Sequence, residues 1–357
     1  MLFTLPEGDL EDILAASEDA FAGLSDAHVL LTGGTGFVGS WLTESFLWAN
    51  RRMALGARLS LLTRDPANVA PRFARAAAAG ALVLVKGDTR TFDLADRADV
   101  VINAATPRAG QTSDAAELVD AIVAGTRNVL RVAAQSGGIP VLFTSSGAVY
   151  GRQPPDLERI PETYTGGPDQ LDPSYAYHEA KRLAELLHVS EGRHSGLKVK
   201  IARLFAFVGP YLPLEEHFAI GNFVRDALRG GPIVVHGDGT PIRSYLYASD
   251  MTSWLWRILT RGEPAIAYNV GAEAPVSILE AARAVAAAAG LSAESVKVGG
   301  EPSQATLPER YVPDAGRARR DLELRATVDV ADAIERTIEF YRERLPLPLK
   351  RYPAGHN

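Results

Sequence analysis

Short apolar runs alternate with helix-spaced apolar positions through the first two hundred residues. The run Val29 to Leu31 leads into clustered glycines, and residues 40–47 then show the spacing of a helix. Further apolar runs at Arg58 to Thr63, Ala81 to Val85, Val100 to Ile102, Val141 to Thr144 and Lys198 to Phe205 predict five more strands. Between them, Ala74 to Ala79, Asp114 to Gln135 and the segment opening at Tyr177 carry helical patterns. Regular alternation of strand and helix predicts an α/β fold with a doubly wound parallel sheet. Asn128, inside the 114–135 helix, reads as a buried residue bridging backbone groups.

Beyond residue 205 the alternation loosens. A helix start at Asn222-Phe223, a strand at Pro232 to Val235, a turn at Gly237 to Thr240 and helices at Ile278 to Ala289 and Ala331 to Tyr341 predict a smaller α/β lobe over the sheet edge. Tyr268 to Gly271 reads as a strand returning to the first domain. The chain therefore divides into an extension at 1–25, a sheet domain at 26–205 with a returning segment near 265–272, a lobe at 206–345 and a tail at 346–357. Leu10, Ile13 and Leu14 predict a short helix in the extension.

Composition narrows the function classes. Of 357 residues, 46% are hydrophobic and 22% charged, as in an ordinary soluble globular chain. A formal charge of -6 provides no electrostatic footprint for nucleic acid or an anionic membrane, so an anionic ligand needs a local cluster of donors. The absence of cysteine excludes disulfides, thiolate catalysis and cysteine-ligated zinc. An acidic N-terminus, and no apolar run near the ~20 residues of a membrane span, predict a cytoplasmic protein. His217 and the other six histidines show no metal-ligand spacing.

The chemistry is concentrated at strand ends. Gly33, Gly36 and Gly39 recur every third residue between a strand and a helix, and Gly34, Gly36 and Gly39 satisfy G-x-G-x-x-G. Such glycines provide a positive-φ turn, close approach to a pyrophosphate and close helix-on-strand packing, which predicts a Rossmann-type dinucleotide site with Phe37 and Val38 in the first helical turn. At the tip of the second strand, Thr63 and Arg64 favour the 2′-phosphate of NADP, whereas Asp65 keeps NAD in play. Asp88 and Thr89 end the third strand, where Asp88 either meets adenine or shapes the turn. Ala104 and Ala105 are small enough for a cofactor to lie close. Ser146 follows the fifth strand, at the sheet edge where ligands bind. After a Pro/Gly-rich loop of about twenty residues, Tyr177 and Lys181 sit at i and i+4 on one helix face. A phenol of ordinary pKa about 10 is a poor base. A neighbouring ammonium and a bound nicotinamide would stabilise its phenolate, letting Tyr177 exchange a proton with a carbinol that Ser146 also holds.

These motifs, with Ser146-x-x-Val149-Tyr150-Gly151, Arg203 to Pro210 and Gly237-Asp238-Gly239-Thr240-x-x-Arg243, make residues 28–341 resemble the extended short-chain dehydrogenase/reductases of the NAD-dependent epimerase/dehydratase family, which act on nucleotide-activated sugars. The resemblance implies Ser146, Tyr177 and Lys181 as catalytic. It also implies Asn222, Arg243 and Arg310 as ligands of a substrate diphosphate, for which a guanidinium fork is suited. It implies a homodimer through the helices of Thr126 and Tyr177. Relatives that dehydrate or decarboxylate carry an acid just after the catalytic Ser or Thr, where this chain has Gly147 and Ala148. Glu162 and Glu179 are the available substitutes, and Ala206 stands where the family commonly has Asn. Tyr177 to Glu185 is similar to the matching segment of UDP-xylose synthases, whereas the Gly-Ala pair is similar to 4-epimerases. The reading is an NAD(P)-dependent nucleotide-sugar 4-epimerase. The alternatives are an NADPH-dependent 4-keto-6-deoxy-sugar reductase, a 4,6-dehydratase and a non-catalytic NADP-binding scaffold.

Overall fold

Seven parallel strands form the central sheet of the computed structural model, which describes residues 3–107, 114–216, 218–301 and 307–344. They are β1 (His28–Thr32), β2 (Arg58–Thr63), β3 (Val83–Lys86), β4 (Val100–Asn103), β5 (Pro140–Ser146), β6 (Lys198–Leu204) and a returning strand, Ala267–Val270. Their spatial order is returning strand, β6, β5, β4, β1, β2, β3. The order reverses beside β1, so the carboxyl ends of β1 and β4 diverge and leave a crevice at the switch point. The predicted strands are present within a few residues, including the returning one, which pairs with β6 from Ala267↔Ile201 to Val270↔Leu204.

Period-two alternation splits each strand between two cores. Val29 and Leu31 face one core with α1 (Glu7–Ala22), α2 (Phe37–Met53), α3 (Pro71–Ala78) and α7 (Ala248–Arg261). Leu30 faces the other, with Val141, Phe143, Val199 and Ile201, under α4 (Ala115–Ala134) and α5 (Ala176–Ser195). Burial on both faces explains why these strands read as continuous apolar runs. Asn128 on α4 donates to Thr89 O at 3.0 Å and Phe92 O at 2.9 Å, bridging backbone groups as its sequence context suggests.

The N-terminal segment is more integrated than a short amphipathic helix. α1 runs sixteen residues with a bend at Ser17 and packs on both α2 and α7. Asp9 is buried, accepting from the Tyr247 hydroxyl at 2.7 Å and pairing with Arg336 at 3.3 Å, while Glu44 accepts from the amides of Thr4 and Leu5. α7 escaped the sequence reading because Ala248 to Trp256 is buried all round, leaving no polar stripe to set a period.

The second region contributes α6 (Ala219–Leu228), α8 (Ile278–Ala288), α9 (Gly316–Leu322) and α10 (Val330–Arg344). Asn222 therefore lies inside α6, three residues past the true start. The short strand Ile242–Arg243 is flanked by Val276–Ser277 and Arg310–Tyr311, with Tyr311 opposite Arg243. The tail at 346–357 and His217 lie outside the described residues.

Candidate active site

The glycine turn divides its tasks by position. Gly33 has φ +71°, and a Cβ there would strike Ala104 and come within 2.6 Å of Ala105 N. A Cβ on Gly39 would collide with Gly33 O and lie 2.5 Å from Gly34 Cα, so this position holds helix against turn. Gly36 is different. It is the N-cap of α2, no side chain caps that helix, and a Cβ there would meet only Gly33 O, at 3.4 Å. Open space in front of uncapped N–H groups at a positive helix end suits a pyrophosphate. The cradle therefore fits a dinucleotide.

Around it, Phe37 and Val38 are half-buried in the first turn of α2, and Thr63 ends β2 beside exposed Arg64. Asp65 is engaged locally: its Oδ1 accepts from Ala67 N at 3.2 Å, capping a turn of 3₁₀ helix. Asp88 also serves its own turn, accepting from Arg90 N and Nε at 2.9 Å and from Arg90 Nη2 at 3.1 Å. That grip holds its carboxyl below the ordinary carboxylate range. Ala104 follows β4, and Ala105 N donates to Thr32 Oγ1 at 3.3 Å.

Ser146, Tyr177 and Lys181 converge at the carboxyl end of β5. Ser146 Oγ accepts from Ala148 N at 3.1 Å and lies within reach of the Tyr177 hydroxyl. Lys181 is 2% exposed, and its Nζ donates to Thr106 Oγ1 and Thr144 O, both at 2.9 Å, 5.9 Å from the Tyr177 ring centre. Burial pushes the Tyr177 phenol above its ordinary value, an effect the Ser146 contact opposes. Burial also pulls Lys181 down to about 7, with Glu185 acting in the other direction. Burial thus disfavours the charged form of each group in the protein alone, whereas the expected phenolate is that of the complex with a nicotinamide.

A buried polar network sets this geometry and has no counterpart in the sequence reading. Glu185, at i+4 from Lys181, accepts from Ser145 Oγ at 2.6 Å and is bidentate with Arg203, at 2.9 and 2.7 Å. Arg203 Nη1 donates to the Tyr150 hydroxyl at 2.9 Å, and Tyr150 donates to Asn269 Oδ1 at 2.7 Å. One chain of hydrogen bonds therefore ties the ends of β5, β6, α5 and the returning strand.

The substitute acids are committed elsewhere. Glu162 Oε1 accepts from Asn269 N at 2.9 Å and its side chain is 5% exposed. Glu179 pairs with Arg182 at 3.6 Å near the surface of α5. In place of an acid, Tyr311 also reaches Ser146, and a Cβ on Gly147 would stand 2.6 Å from the Tyr311 hydroxyl and 2.8 Å from Phe205 Cζ. Of the expected diphosphate ligands, Arg243 pairs with Glu309 at 2.8 Å, beside Arg310 on the neighbouring strand. Asn222 Oδ1 accepts from Arg225 at 2.9 Å. Ala206 O accepts from Leu246 N, so this position contributes backbone to the lobe. Among the described residues no cluster of His, Asp or Glu is suited to a metal, and no helix is long and apolar enough to cross a membrane.

A switch-point sheet, a glycine cradle and a Ser-Tyr-Lys cluster together define an extended short-chain dehydrogenase/reductase. The sequence model of the NAD-dependent epimerase/dehydratase family matches residues 29–271, and the chain belongs to that family. It is 28% identical over 328 residues to UDP-glucuronic acid decarboxylase 3 of Arabidopsis thaliana, covering 90% of this chain and 91% of that one. Among solved structures, a double mutant of dTDP-glucose 4,6-dehydratase from Streptomyces venezuelae, with NAD bound, is 26% identical. Its TM-score is 0.73, over 88% of this chain and 97% of that one. UDP-glucose 4-epimerase from Thermotoga maritima shares the fold at 19% identity and TM-score 0.73, over 88% and 99% of the two chains.

Proposed function

We propose that this chain exchanges hydride at the C4 carbinol of a nucleotide-activated hexose and acts as a 4-epimerase. The observation that carries the reading is the arrangement after β5. Ser146, Tyr177 and Lys181 are in place, whereas Gly147, Ala148 and the Tyr311 hydroxyl replace the acid that elimination chemistry needs. A nicotinamide dinucleotide on the cradle supplies the hydride acceptor and donor when bound. Gly33, Gly36, Phe37, Val38 and Gly39 would hold its pyrophosphate end, Thr63, Arg64, Asp88 and Thr89 its adenosine end, and Ala104 and Ala105 its middle. Tyr177, as the phenolate that the Lys181 ammonium and a bound nicotinamide would stabilise, takes the O4 proton during oxidation and returns it after the sugar has turned over. Ser146 holds the same oxygen. Lys181, fixed by Thr106 and Thr144, places its positive form behind the phenol as charge develops. Arg243, Arg310 and Asn222 would receive the diphosphate, Arg243 exchanging Glu309 for a phosphate.

A second reading, an NADPH-dependent reductase of a 4-keto-6-deoxy sugar, is supported by exposed Arg64 and by the local engagement of Asp65. In either reading it is Arg64 that favours NADP over NAD. Ligands released from the purified protein, identified by mass spectrometry, and the C4 configuration of hexose products separate the readings. The epimerase retains oxidised cofactor and interconverts C4 epimers without consuming it, and stoichiometric NADPH consumption with a 4-keto sugar would refute it.

The working unit proposed is a homodimer through α4 and α5. Leu183 and Leu186 on α5 are 41% and 64% exposed, and α4, on which α5 packs, carries half-buried Val119 and Val123. Such a shared apolar face is unusual for a monomer and suits a self-complementary contact. Leu186→Glu should convert the dimer to a monomer in sedimentation velocity. A wild-type protein already monomeric at micromolar concentration excludes the assembly.

A further inference from the structure

Lys181 is held by two acceptors of different kinds. An ammonium carries three donors. One of them goes to Thr144 O at 2.9 Å, a backbone atom inside β5 that no substitution removes. Another goes to Thr106 Oγ1, also at 2.9 Å, across 75 positions of sequence. Thr106 is exposed and Lys181 buried, so a surface side chain reaches an interior charge. The i and i+4 spacing of Tyr177 and Lys181 gives no sign of this contact.

The place of Thr106 in the chain gives the contact a meaning. It follows Ala104 and Ala105, which close on the glycine turn: a Cβ on Gly33 would come within 2.6 Å of Ala105 N. Ala105 N is itself fixed on Thr32 Oγ1 at 3.3 Å. Segment 104–106 therefore touches the cradle at one end and the lysine at the other. The rest of the lysine's surroundings belong to the core. From β5 it meets Thr144 O and the Phe143 ring, 4.8 Å from Nζ. Among the described residues the titratable groups that act on it lie on α5. They are Tyr177, Glu185, which is committed to Arg203 of β6, and His188, whose Nδ1 donates to Ala184 O at 2.7 Å and which burial keeps neutral. A hydroxyl accepting from an ammonium stabilises the charged form. Thr106 supplies that hydroxyl from outside α5, against the burial that disfavours the charge.

We propose that Thr106 is a positioning residue: its hydroxyl keeps the Lys181 ammonium charged and in place behind Tyr177, and its position after Ala104 and Ala105 ties that grip to the segment on which the dinucleotide would lie. This rests on the reading that Tyr177 and Lys181 serve the C4 carbinol. Thr106→Val removes the hydroxyl and keeps the shape, whereas Thr106→Ser keeps the hydroxyl. Nuclear magnetic resonance of the full chain carrying isotope-labelled lysine follows the Lys181 Nζ titration with no ligand added. Loss of an acceptor disfavours the ammonium, so the midpoint should fall by roughly one pH unit in the Val variant and stay at the wild-type value in the Ser variant. Single-turnover hydride transfer from UDP-glucose to NADP should slow about tenfold in the Val variant and recover in the Ser variant, with NADP affinity within a few-fold of wild type. An unmoved midpoint, or a Val variant that loses NADP affinity at an unchanged hydride rate, would make Thr106 a part of the cofactor floor alone. Either result overturns the inference and leaves the epimerase reading standing. If wild type transfers no hydride from UDP-glucose, the C4 reading fails and the inference with it.

Discussion

Replacing Tyr177 with Phe should lower kcat by two to four orders of magnitude, the usual contribution of a positioned acid/base group. Nucleotide-sugar and cofactor affinity should stay within a few-fold. The substitution removes one oxygen and keeps the ring, which packs with the α5 side of the core beside Phe143 and Lys181. Stability should change little, because the lost hydrogen bond to Ser146 is modest in net terms. Single-turnover hydride transfer, followed by nicotinamide absorbance at 340 nm, separates the chemical step from binding. Wild-type turnover in the Phe variant would contradict the assignment of Tyr177 as the acid/base group.

The second large effect is on folding. Arg203→Leu should destabilise the chain by about 3 to 5 kcal/mol, because Glu185 would remain buried and charged without its bidentate partner. The side chains of Arg203 and Glu185 are only 16% and 12% exposed. Ser145 alone cannot compensate the carboxylate, and Tyr150 would lose the guanidinium that lies 4.8 Å over its ring. Glu185→Leu combined with Arg203→Leu should cost less than Arg203→Leu alone, since no lone charge is left. Urea denaturation of Arg203→Leu, Glu185→Leu and the double variant measures this coupling. Strict additivity of the single-variant losses would show that the pair is not an energetic unit.

The sequence made the sheet legible because strands buried on both faces leave uninterrupted apolar runs, and because glycine is forced where Gly33 and Gly39 touch backbone. Ser146, Tyr177 and Lys181 were legible through their order along the chain. What stayed hidden depends on distances that only folding creates. Tyr311 lies 134 residues from Tyr177 in sequence, yet both reach Ser146. Only Arg310, its neighbour, drew notice, because a guanidinium has an obvious ligand and a phenol does not. Glu185 followed Lys181 at helical spacing, an available signal, but its meaning required Arg203 on β6. The burial that opposes ionisation of Tyr177 and Lys181 was hidden for a related reason: charge proximity can be read from i and i+4, whereas desolvation cannot.

The C4 carbon is where the account is most exposed. A nucleotide hexose deuterated at C4, incubated with the holoprotein and examined by nuclear magnetic resonance, should yield two C4 epimers with deuterium still at C4 and no net change in nicotinamide oxidation state. Deuterium appearing at C6 of a 4-keto product, or a substrate left wholly unconverted, would contradict it.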